Sequence, residues 1–138
     1  MEISPTTWFI AAAMAAFTLA LLHGVVGQRT FVSPLGRERL FPTRPWGDED
    51  MTWRIFAITW HMVTAVFVSC GVVLLLRAMG VIEGNSLPFF ISSLYAAFIV
   101  LAVSIVGPRV LVTLRRPYAI TVAICLVTVC VASWLGTR

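Results

Sequence analysis

The chain has no lysine, few acids and little charge of any sign. Charged residues make up 12% of its 138 positions, against six acids, and every one of the ten basic residues is arginine. Soluble domains carry about 25% charged residues and about 45–50% apolar ones. Here 59% of the residues are hydrophobic, more than a soluble core of this length can hide from water. Cysteine is scarce too: Cys70, Cys125 and Cys130 all fall inside apolar runs. An odd, apolar set is not a disulfide framework, and its spacing suits neither zinc nor an iron–sulfur cluster. The arginines avoid the long apolar runs and gather at their ends. No basic cluster has the span and interleaved aromatics that a nucleic-acid surface needs, so no nucleic-acid partner is expected. That placement of charge belongs to a membrane protein.

Four apolar runs are present, each long enough to cross a bilayer, which takes roughly 20 residues. They predict an all-α, four-helix transmembrane bundle with helices over about 7–27, 50–77, 88–106 and 117–135. Glu2 precedes the first run where a cleaved leader would carry positive charge, so the run reads as a retained helix. Residues 28–49 contain Pro34, Gly36, Pro42, Pro45 and Gly47, which predict a loop lying along the headgroups. The acids Asp48, Glu49 and Asp50 then stand where a helix N-terminus favours negative charge. Arg29, Arg37, Arg39, Arg44 and Arg54 adjoin one loop, and Arg109, Arg115 and Arg116 the other on the same side, leaving Arg77 and Arg138 opposite. The positive-inside rule makes loops 28–49 and 107–116 cytoplasmic and puts both termini outside.

No Asp, Glu, Lys or Arg stands in the middle of any run. A proton- or sodium-coupled transporter usually needs such a carboxylate, and no nucleophile motif supports a hydrolase. The candidates that remain are the only two histidines, His23 and His61. His23 lies roughly 6 Å before the end of helix one, and His61 roughly 12 Å past Trp53 in helix two. Two antiparallel neighbours would hold them at similar depth. Ala12, Ala16, Ala20 and Gly24 form a small-residue stripe bordered by His23, and Ala57, His61, Ala65 and Ser69 form another, with Thr64 alongside. Both imidazoles are therefore expected to point into the bundle, with Trp60 packed against His61. Such a pair suits a b-type haem bound from both sides, copper with Met62 or Met14, or a quinone carbonyl. The plainer alternative is that each imidazole bonds a backbone carbonyl or hydroxyl on a neighbouring helix. Arg29, Arg54 and Arg109 are candidates for an anion or lipid-headgroup site, or simply topology determinants.

The stretch Leu22-His23-Gly24-Val25-Val26-Gly27-Gln28-Arg29, followed by Pro34-Leu35 and later Trp60-His61, resembles a family of small four-helix bacterial membrane proteins with no established activity. The resemblance covers about the first half of the chain. It implies a bacterial inner-membrane location and one shared site for His23, Gly27, Arg29 and His61. Gln28 departs from the acidic residue expected there, which weakens an ion pair with Arg29. Three functions follow: an accessory or structural subunit packing with itself or a partner in a larger complex, a bis-histidine electron carrier, and a small exporter. No enzyme class is favoured.

Overall fold

In a computed structural model of the chain, residues 4–35, 49–106 and 116–138 are described. Among them the chain is all-α: four long apolar helices, no strands, and 89% helix. All four are long and apolar enough to cross a membrane, the architecture of a multi-pass membrane protein. Inside hydrocarbon a helix is the one open-chain solution that satisfies every backbone N–H and C=O within the segment.

The first helix, α1 (Pro5–Leu21), starts on a proline in its first turn, where the missing N–H has no intrahelical partner to lose. It does not end at 27. The backbone widens into a π-helix over Leu22–Val32 and returns to α-helix over Ser33–Leu35, so the described rod covers Pro5–Leu35. Pro34 was expected to keep this stretch from being helical. Lacking an N–H, it withholds one hydrogen bond from a carbonyl of the preceding turn, and the described backbone is helical through it. The second helix, α2, spans Glu49–Ala78, α3 spans Ser86–Val106 and α4 spans Pro117–Leu135.

Small residues let α1 act as the central post. Ala12, Ala13, Ala16, Leu19 and Ala20 are buried, and α1 packs against both α2 and α4 while α3 packs against α4. In the apolar stretch of the first span 39% of residues are buried inside the fold, against 22% in each of the others. The approach of α2 to α3 is looser and is bridged by rings, Phe67 touching both Tyr95 and Phe98. At the end where α2 turns into α3, Arg77 lies over the Phe9 ring, 5.3 Å from its centroid. Its Nε donates to the Gly84 carbonyl at 3.0 Å. Asn85 Nδ2 donates to the Thr137 carbonyl at 3.0 Å, tying that turn to the chain beyond α4. At the opposite end Phe31 meets Tyr118, with centroids 6.1 Å apart.

Candidate functional site

On α2 the residues Trp60, Thr64 and Phe67 follow the helical spacing i, i+4, i+7, so they share one face. That face meets the start of the π-helical segment. The His23 ring stacks on Trp60 at 4.1 Å between centroids and 13° between planes. Its Nδ1 is 2.9 Å from the Thr64 hydroxyl, with donor and acceptor set by the tautomer. Phe67 packs edge-on against the same ring at 5.7 Å and 88°. The indole also reaches the backbone: Trp60 Nε1 donates to the His23 carbonyl at 3.0 Å. His23 is thus held at its ring and at its carbonyl by one face of α2.

Close approach explains the glycines. A Cβ on Gly27 would stand 2.5 Å from Trp60 Cζ2, and one on Gly24 would stand 2.8 Å from Thr64 Cγ2. Only residues without side chains let α2 seat its indole and threonine against this rod. The aromatic set extends outward: Trp60 also neighbours Phe31 at 6.4 Å and Phe56 at 6.0 Å. The π-helix is rare and occurs mostly as single-turn bulges, so an 11-residue stretch is unusual.

His61 is placed differently from the expectation. It lies about 100° round the helix from Trp60 and is exposed, as are Ala65 and Ser69, with Ala57 half-buried. The stripe Ala57-His61-Ala65-Ser69 therefore looks outward and not into the bundle. The bundle-facing stripe is shifted by one residue, so Trp60 packs against His23 and not His61. His61 forms no hydrogen bond or ring contact with a described residue. The structure brings together His23, Gly27, Trp60 and Thr64, and leaves His61 and the exposed Arg29 outside that set.

Of the expected anion trio Arg29, Arg54 and Arg109, the first two are described and Arg29 is exposed. Arg54 is engaged with Asp50, Nε to Oδ2 at 2.6 Å along the helix, and Arg109 lies outside the described residues. Met14 and Met62 are both 62% exposed, so neither joins His23. Among the described residues no three His, Cys, Asp or Glu side chains stand close enough to hold a metal ion. Cys70 and Cys125 are buried free thiols, and the Cys130 carbonyl accepts a 2.7 Å bond from Ser92 Oγ that joins α3 to α4.

The role of Trp60 as a stacking and carbonyl-capping partner of His23 is not evident from composition or depth. The i, i+4, i+7 spacing of Trp60, Thr64 and Phe67 was the available signal, and the glycines at 24 and 27 marked the surface it met. No protein-family model, curated protein or solved structure matches this chain.

Proposed function

We propose that this chain acts by helix packing, as a subunit of a membrane assembly, and that the outward stripe of α2 is where it packs. The observation that carries this is the position of His61. The middle of the Asp50–Ala78 span falls at Thr64, so His61 stands roughly 5 Å from mid-membrane, inside a hydrocarbon core roughly 30 Å thick. An imidazole there faces lipid tails that offer no hydrogen bond. Polar residues at that depth face protein or water in almost all membrane proteins. Small neighbours, Ala65 and Ser69, leave room for a second helix to come close. His23, by contrast, uses one ring face and Nδ1 within the fold, the arrangement of a packing residue. The bis-histidine reading loses support from this division, since one imidazole is inside the α1–α2 contact and the other is outside it.

The same proposal sets the chain in the bacterial inner membrane, with the arginine-rich loops cytoplasmic and the termini periplasmic. The test is the particle mass of the protein in mild detergent or nanodiscs, with an absorption spectrum of the same sample. An assembly larger than one 15.2 kDa chain, weakened by His61→Leu, is the expected result. A lone monomer with nothing co-purifying refutes it. A Soret band lost in both His23→Ala and His61→Ala would replace it with the cofactor reading.

A further inference from the structure

Among the described residues, the exposed polar side chains at lipid depth fall into two kinds, while the buried Tyr95 hydroxyl also lacks a partner. Exposed hydroxyls elsewhere turn back onto their own helix: Thr59 to the Ile55 carbonyl at 2.9 Å, Ser93 to Phe89 at 3.0 Å, Ser104 to Val100 at 2.8 Å and Thr121 to Pro117 at 3.0 Å. On the outward stripe of α2 this does not happen. Neither the His61 imidazole nor the Ser69 hydroxyl bonds a described residue, though both are exposed. They lie roughly 12 Å apart, on either side of Ala65, which sits beside the middle of the span. Lipid tails cover apolar surface but leave two such groups unpaired. A partner with its own hydrogen-bonding groups at matching depths would pair them.

We infer that this partner is a second copy of the chain, docked through α2 against α2 about a two-fold axis along the membrane normal. This rests on the helix-packing reading above and names its partner. Two copies inserted with the same orientation place each residue opposite itself at the same depth, because a two-fold interface is isologous. The polar groups on the stripe suit that arrangement. A neutral imidazole carries one donor and one acceptor, so two His61 rings can share one N–H···N bond, and two Ser69 hydroxyls one O–H···O bond. Ala65 at the crossing supplies the close backbone approach, as in small-xxx-small helix pairs. An unlike partner would have to place matching groups at two depths on its own helix, whereas a second copy presents them by symmetry.

The test is oxidative cross-linking of full-length protein in liposomes at low protein density, comparing Ala65→Cys with Val103→Cys on the exposed side of α3, where Val103 is 52% exposed. Ala65→Cys is expected to form a disulfide dimer rapidly and Val103→Cys only at the background rate of the wild-type thiols. His61→Leu should raise the protein density needed for half-dimerisation about ten-fold, within the upper range for interhelical polar contacts. His61→Gln, which still donates and accepts, should restore most of it. Unchanged unfolding of dilute His61→Leu shows that the fold itself is intact. Equal cross-linking at positions 65 and 103, or a His61→Leu variant that dimerises like wild type, overturns the inference. If a different polypeptide co-purifies in place of a second copy, the inference fails while the packing reading stands. A monomer that captures nothing removes both.

Discussion

Replacing Gly27 by alanine adds one methyl group at the point where α2 presses its indole into the first helix. The new Cβ would stand 2.5 Å from Trp60 Cζ2 and 3.4 Å from Cε2, so one of them must move by about 1 Å to reach ordinary contact near 3.5 Å. The indole cannot slide away freely. It donates to the His23 carbonyl at 3.0 Å and lies flat on the His23 ring at 4.1 Å. Overpacking of this kind costs about 1–3 kcal/mol, and weakening the indole bond adds about 0.5–1.5 kcal/mol. Alanine opposes this with a helix preference over glycine of about 1 kcal/mol. The net is a destabilisation of about 0.5–3.5 kcal/mol, centred near 2. The assay is equilibrium unfolding in mixed micelles, run in the wild-type and Trp60→Phe backgrounds as a double-mutant cycle. Phenylalanine lacks the outer indole ring atoms, so Gly27→Ala should be neutral there, or stabilising by up to about 1 kcal/mol. A Gly27→Ala protein as stable as wild type, or an equal loss in both backgrounds, would refute the seating of Trp60 on Gly27.

The two histidines should part company in the same assay. His23→Ala removes the Trp60 stack and the Thr64 bond and should cost about 2 kcal/mol, whereas His61→Ala should stay within about 0.5 kcal/mol in dilute, monomeric protein. Equal losses would mean that both rings face protein. Arg77→Ala should loosen the turn between α2 and α3, because Arg77 holds the Gly84 carbonyl, the Asn85 side chain and the face of Phe9. Hydrogen exchange of residues 79–85 reads this. Arg77→Lys should recover little, since an ammonium lacks the planar fork that serves two acceptors while lying on a ring. Ser92→Ala should cost only about 0.6 kcal/mol, the usual value of one polar contact between membrane helices. A much larger loss would show that the Cys130 carbonyl has no other way to be satisfied.

The fold class was legible because hydrocarbon leaves few choices: four uncharged apolar runs in a chain this short can only be four helices. The small-residue stripe of the first helix was legible for a related reason. Ala12, Ala16 and Ala20 are all buried, since close helix contact needs small residues whichever neighbour makes it. On α2 the same rule pointed to the wrong side. Ala57, His61, Ala65 and Ser69 form as regular a stripe, yet the bundle is met by Trp60, Thr64 and Phe67. Small residues mark a contact without saying whether it lies inside the chain or beyond it. In a soluble protein hydrophobicity would decide the inward face, but in lipid both faces are apolar and that signal vanishes. The extension of the first helix past 27 was hidden for a local reason. Proline and glycine spell a loop in water, where unpaired backbone groups can find solvent, while near the membrane a helical turn costs less than leaving them bare.

The contrast between the two histidines follows from the same physics. Each imidazole near the membrane centre must find a donor or acceptor or remain unpaired in hydrocarbon. His23 finds its partner within the chain, and the local structure is shaped to permit it. Glycines at 24 and 27 open the rod, the backbone widens by one residue per hydrogen-bonded ring, and α2 supplies a hydroxyl and an indole at the right spacing. Nothing similar is built around His61. No described side chain bonds it, and its neighbours along the stripe are small where lipid-facing positions on the same helix are large, as at Ile58, Met62 and Val72. An imidazole on a lipid-facing turn with no further role would be expected to give way to leucine or valine at little loss to the monomer. Its presence there, beside an equally unpaired Ser69, is accounted for if the surface is only half of a contact.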